Sequence, residues 1–176
     1  YTTNGGVDWT DATTTDVGGT QMNGVSMSDA SNGVAVGVSG QIVYTTNGGV
    51  DWTDATTTDV GGTQMNGVSM SDASNGVAVG VSGQIVYTTN GGVDWTDATT
   101  TDVGTNTMWG VSMSDASNGV AVGGSGEIVF SGTVSSEDST TGEKRNDSSR
   151  CYDCTAPSIG ISNNLKDPVR VIDGGF

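Results

Sequence analysis

Residues 44–86 read YTTNGGVDWTDATTTDVGGTQMNGVSMSDASNGVAVGVSGQIV, and this stretch decides the fold. It repeats residues 1–43 letter for letter. Residues 87–129 are a third copy that departs at six positions: Thr105, Asn106, Thr107, Trp109, Gly124 and Glu127. Tyr1, Tyr44, Tyr87 and Phe130 mark the 43-residue spacing. A period of about 40–45 residues is that of four-stranded propeller blades. Helical repeats of similar length are excluded by content. Each unit is rich in Gly, Thr, Val and Asp, has no Leu, and shows no apolar recurrence at i, i+3, i+4.

Within a unit, short strand signals alternate with turn chemistry. Met65–Met70 reads as a first strand, with Val68 and Met70 on one face and Ser69 on the other. Asp72 to Gly76 is a turn, and its Asn75-Gly76 pair suits the positive φ angles of a tight hairpin. Val77–Val81 reads as a second strand and Ser82-Gly83 as the next turn. Gln84–Thr89 is a third strand, Asn90-Gly91-Gly92 a further turn, and Val93–Thr99 a fourth strand. One such blade cannot bury both faces alone, and stacked neighbours supply the core. That is how a chain with only about 18% Leu, Ile, Val and Phe can fold.

Charge narrows the function. The 176 residues carry 5 Lys and Arg against 20 Asp and Glu, with no His, for a net charge of −15. Nucleic acid is excluded as a partner, because no basic face can neutralise phosphates. All five cations (Lys144, Arg145, Arg150, Lys166, Arg170) follow residue 143, so mechanisms needing His, Lys or Arg are excluded from the repeats. No segment reaches the roughly 18 apolar residues of a membrane-spanning helix. Residue 1 falls inside a repeat and not in a basic, apolar leader, so a leader would lie upstream.

The segment Thr45-Thr-Asn47-Gly-Gly49-Val-Asp-Trp52 matches the Asp-box pattern, Ser/Thr-x-Asp/Asn-x-Gly-x-x-Trp. It recurs at Thr2, Asn4, Gly6, Trp9 and at Thr88, Asn90, Gly92, Trp95. The wider unit from Trp109 through Asn118-Gly119 and Ala121-Val-Gly123 to Gly126-Glu-Ile-Val resembles the repeat of the photosystem II assembly/stability-factor-like propellers. The resemblance covers residues 1–130 and implies that the box forms the hairpin between a blade's third and fourth strands. Thr and Asn side chains can bond turn amides there, Gly takes positive φ, and Trp anchors the turn from beneath. These twelve residues are therefore expected to be structural. Asp-box propellers include sialidases, glycanases, sorting receptors and assembly factors, so the resemblance speaks to fold before function.

The expected fold is all-β and an incomplete propeller. Residues 1–16 supply the outer half of a blade, 22–59 and 65–102 two full blades, and 108–130 three strands of another. The fourth box is missing, because Phe130-Ser-Gly-Thr-Val replaces it. Closed propellers need about four to eight blades. Either the chain is a fragment of a longer product, or two copies close a six-bladed ring, with residues 7–13 completing the blade begun at 108–130. Residues 131–150 read as a polar linker. Residues 151–176 read as the start of an Ig-like β domain, on the resemblance of Thr155-Ala-Pro-Ser-Ile-Gly-Ile to such opening strands. Cys151 and Cys154 form a lone CxxC without a second pair for zinc, which leaves a local disulfide or half of an interrupted pair as the expectation.

Candidate chemistry is sparse. Sialidases hold an anionic sugar with arginines, and the repeats have none. Neutral-glycan hydrolysis needs two carboxylates in different environments. Asp51, Asp54, Asp59 and Asp72 recur with the blades, which suits turn capping better than one asymmetric site. Glu127 is the one carboxylate private to a single repeat, and with Trp109 it is a possible binding residue. Asp94, Asp97 and Asp102 lie close in sequence, as Ca²⁺ ligands can, but match no calcium-loop spacing and read as a solvated acidic rim. No metal or cofactor is expected. Trp109 replaces the Asn23 and Asn66 of the other copies, and either anchors a partner or fills its strand. The expected function is a non-catalytic repeat region of a secreted or cell-surface protein, binding a protein or glycan. The alternatives are a glycan hydrolase whose catalytic carboxylates lie largely outside this chain, and a structural spacer.

Overall fold

The structure, a computed structural model, describes residues 1–14, 17, 19–100, 103–131, 134–137 and 144–147. Asp102, Cys151, Cys154 and the whole of 151–176 lie outside the described residues. The repeats form antiparallel sheets. The first blade has β1 (Met22–Met27), β2 (Gly33–Gly37), β3 (Ile42–Thr45) and β4 (Thr53–Asp54), in that order. The second has β5 (Met65–Met70), β6 (Gly76–Gly80), β7 (Ile85–Thr88) and β8 (Thr96–Asp97). The third has three strands: β9 (Met108–Met113), β10 (Gly119–Gly123) and β11 (Ile128–Ser131). Residues 1–14 carry the outer hairpin of a further unit, in which Tyr1 and Thr10 exchange main-chain hydrogen bonds of 2.9 Å.

Two sequence expectations need correction. The fourth strand is two residues long, because Val93 and Asp94 belong to the preceding turn and Trp95 bonds the previous blade. Asn75 and Gly76 are not at positive φ. The Asp72 side chain closes that turn instead, and a Cβ on Gly76 would crowd the Met70 sulfur and the Ser69 carbonyl. The positive-φ positions lie one turn later, at Ser82 (φ 57°) and Gly83 (φ 74°). Between residues 131 and 150, β12 (Val134–Glu137) pairs antiparallel with β13 (Lys144–Asp147).

Blades stack through main chain as well as side chains. Asn23 Nδ2 donates to Met65 O at 2.8 Å, and Asn66 repeats this to Met108 O at 2.8 Å. The Met70 amide donates to Ser26 Oγ at 3.0 Å, and the Met113 amide to Ser69 Oγ at 3.0 Å. Between these bonds the inner strands nearly touch. A Cβ on Gly24 would lie 3.3 Å from Gly67 Cα, and one on Gly67 3.2 Å from Gly110 Cα. On the outer side, Thr56 N donates to Val93 O at 2.7 Å and Trp95 N to Thr56 O at 3.1 Å. Thr13, Val50 and Trp52 repeat the arrangement one blade earlier.

The core lies between blades. Val34, Val36 and Ile42 of the first blade pack against Met65, Met70, Ala78, Val86 and Trp95 of the second. A smaller cluster of Val79, Val103, Met108 and Ala121 joins the second blade to the third. Burial of this apolar surface is the main favourable term, at about 25 cal/mol per Å².

Candidate functional site

The Thr-Asn-Gly-Trp turn is built the same way three times. In the second blade, Thr88 Oγ1 accepts from Gly92 N at 3.0 Å and donates to Asn90 Oδ1 at 3.0 Å. Asn90 Oδ1 also accepts from Asp94 N at 3.0 Å, and Asn90 Nδ2 donates to the Asp94 carboxylate at 2.8 Å. Trp95 Nε1 donates to Gly92 O at 3.0 Å. Thr45, Asn47, Gly49 and Trp52 make the corresponding bonds, as do Thr2, Asn4, Gly6 and Trp9. Gly91 and Gly92 take φ of 78° and 92°, which glycine adopts without penalty. The bonds are shared, but burial is not. Trp95 is 2% exposed, Trp52 is half-buried, and Trp9 is 73% exposed.

The repeated aspartates serve turns. Asp72 accepts from both the side chain and the amide of Asn75, and from the Ser74 amide at 2.7 Å. The Asn75 side chain, followed by these amides, holds the Asp72 carboxyl below the ordinary carboxylate value. Asp29 with Asn32 and Asp115 with Asn118 show the same shift for the same first cause. Asp51 and Asp94 accept from Asn47 and Asn90. Asp54 and Asp97 accept from Gln41 and Gln84, and Asp59 accepts weakly from the Asp97 amide. Among the described residues no group of three or more His, Cys, Asp and Glu is placed to hold a metal ion.

The residues private to the third repeat form a pattern of their own. Asn106 Nδ2 donates to the Glu127 carboxylate at 2.9 Å, so these two replacements answer each other. Sequence reading left Glu127 without a partner, although the simultaneous change at 106 and 127 was the available signal. In the other blades the residue at this position is a glutamine that reaches a fourth-strand aspartate. Trp109 stands on inner strand β9, 59% exposed. It occupies the place of the asparagines that donate to the next blade's methionine carbonyl.

An open groove separates the second and third blades. Its cavity of about 500 Å³ is lined by Val77, Tyr87, Val103, Val120, Val129 and Phe130, among others. The equivalent space one blade earlier is filled, because Gly92 lies against Val34 and Tyr44 and Trp95 is buried there. The third repeat has no Thr-Asn-Gly-Trp letters after Phe130, and among the described residues β11 pairs with β10 alone, where β3 and β7 each pair on both sides. No sequence signal pointed to the groove beyond the missing fourth box.

No family model matches the chain, and no curated protein does. Solved structures that share its fold include two of YCF48. One is YCF48 bound to D1 peptide, 22% identical with a TM-score of 0.58, covering 64% of this chain and 37% of that one. The other is YCF48 from Cyanidioschyzon merolae, 19% identical with a TM-score of 0.55, covering 64% of this chain and 34% of that one. This chain therefore spans just over a third of the length of those structures. Its stacked antiparallel sheets are blades of the same β-propeller architecture as the YCF48 structures.

Proposed function

We propose that this chain is a non-catalytic β-propeller repeat region that binds a protein or glycan partner, with Trp109 as the anchor. The observation that carries this is the exposure of Trp109 on an inner strand, at a position where the other two copies hold an asparagine engaged in blade stacking. A large exposed aromatic on a rigid strand is the type of residue that dominates binding energy. A peptide-bound structural neighbour supports a protein partner. The net charge of −15 and the Ser, Thr and Gly richness support a secreted or cell-surface setting. A hydrolase reading draws no support from the described carboxylates, since the repeated aspartates close turns and Glu127 is engaged by Asn106.

The test is to apply the full chain to a peptide array and a glycan array, beside Trp109→Ala. Retention by a set of peptides or oligosaccharides, lost in the variant at unchanged circular dichroism, is expected. Retention on neither array, or retention indifferent to the variant, overturns the reading.

A further inference from the structure

We infer that the asparagines standing before glycine are latent deamidation sites, kept intact because the fold binds each of their side-chain amides. Asn-Gly occurs eight times in the sequence, three times in each of the first two repeats and twice in the third. In such a pair the glycine main-chain nitrogen attacks the asparagine Cγ and closes a succinimide ring. The bond from Cγ to the side-chain nitrogen breaks, and that nitrogen leaves as ammonia, carrying the glycine amide proton. Water then opens the ring at one carbonyl or the other, giving aspartate or isoaspartate. No oxidant or reductant takes part. Glycine favours the attack because it has no Cβ to shield its nitrogen.

The attack needs two freedoms. The asparagine side chain must rotate until Cγ meets the glycine nitrogen, and that N–H must be free of main-chain bonds. The fold withholds both. In the Thr-Asn-Gly-Trp turns, Asn47 and Asn90 donate through Nδ2 to Asp51 and Asp94 at 2.8 Å. Their Oδ1 atoms accept from the amides of the same aspartates at 3.0 Å. The Gly48 and Gly91 amides donate to Ser31 O and Ser74 O at 2.8 Å. On the inner strands, Asn23 and Asn66 donate to the next blade's methionine carbonyls, and Gly67 is held in the ladder opposite Val79. In the Asp72 turn, Asn75 Nδ2 donates to both carboxylate oxygens, at 3.0 and 2.9 Å, and Gly76 is paired on both sides. Asn118 makes the same double contact with Asp115, at 2.9 Å to each oxygen. Asn4 and Asn32 repeat the bonds of their copies, so all eight amides are engaged.

The same bonds make the product costly. Conversion of Asn75 sets a second carboxylate beside Asp72, where like charges repel. Conversion of Asn66 points a carboxylate at Met108 O, so two acceptors meet where an amide donated before. One conversion loosens the turn or the blade seam that protected it, and local opening then exposes further pairs. The repeated aspartates thus have a chemical role beside turn closure, and it is independent of any partner. The third repeat, with Trp109 in place of the inner-strand asparagine, carries one such site fewer.

The experiment is incubation of the full chain at mildly alkaline pH, folded in buffer and unfolded in urea, followed by peptide mass spectrometry. Conversion is read from the mass gain of amide to carboxylate. The peptide around Asn118 is distinct from its copies, because it carries Gly124 and Glu127. The folded chain is expected to convert about tenfold or more slowly than the unfolded one. Asp115→Ala frees the Asn118 amide and is expected to speed conversion there by about threefold or more, at unchanged circular dichroism and with the other Asn-Gly peptides unaffected. Asp115→Asn keeps an acceptor oxygen for that amide and stays near the parent rate. Equal rates in the folded and unfolded chain overturn the inference. So does an Asp115→Ala chain in which Asn118 keeps its parent rate, or in which all Asn-Gly peptides speed up together, since the protection then does not come from the local carboxylate.

Discussion

The junction between the first and second blades and the junction between the second and third are made from almost the same residues, yet only one is closed. In the first, Trp95 and its turn lie against Val34 and Tyr44, and nine buried side chains form one cluster. In the second, Val77 and Tyr87 offer the same surface to a cavity of about 500 Å³, and four buried side chains remain. The difference is one missing turn. A repeat's surface is defined by its sequence, but its contribution to stability depends on whether a neighbour covers it.

The largest break in that comparison is Trp95→Ala, which turns the closed junction into a copy of the open one. Loss of about 3–5 kcal/mol is expected by urea denaturation, the usual range for a buried Trp. The same change at Trp9, 73% exposed, costs no more than about 0.5 kcal/mol. Trp52→Ala falls between. Equal losses at all three positions would show that the turn's own bonds, and not the neighbouring blade, set the value of the tryptophan.

Next in size are Thr88→Val and Gly67→Ala. Thr88 is 3% exposed, and removing its Oγ1 leaves the buried Gly92 amide without an acceptor, costing about 1–3 kcal/mol. Thr2→Val makes the same change at the exposed hairpin, where water replaces the hydroxyl, and should cost less. Gly67→Ala pushes a Cβ against the backbone of Trp109 and Gly110 and is expected to cost about 1–3 kcal/mol. Gly110→Ala meets only Val122 Cγ2 at 3.7 Å, and should be neutral or mildly stabilising. Thermal melts of the two glycine variants side by side decide this.

The smallest effect is on acid stability. Folding lowers the carboxyl pKa of Asp29, Asp72 and Asp115 below the ordinary 3.8. Their contribution is therefore present above about pH 4 and lost as pH falls through the lower folded values. Circular dichroism followed from neutral pH downward should show stability declining only below about pH 4. Replacing Asp115 with Asn should shallow that decline.

Much of the blade was legible because its signals are local. The period, Met65–Met70 and the Gly91-Gly92 turn follow from side-chain alternation and glycine's freedom at positive φ. The fourth strand was read too long because its residues bond a different blade, through Thr56 to Trp95. Asn75-Gly76 was misread for a related reason, since Gly76 answers the bulk of Met70 across the sheet and not a turn. The partnership of Asn106 with Glu127 spans 21 residues and was visible only as two coincident substitutions. The groove was invisible, because it is a surface formed by what is not there to cover it.

The sequence by itself determined the all-β unit, its 43-residue period and the bonding inside each turn, because those depend on residues within one repeat. Three identical ten-residue turns nevertheless hold one buried, one half-buried and one exposed tryptophan. Only the tertiary structure decided that ranking. Burial is a property of the neighbour that removes water, and identical letters cannot encode different neighbours.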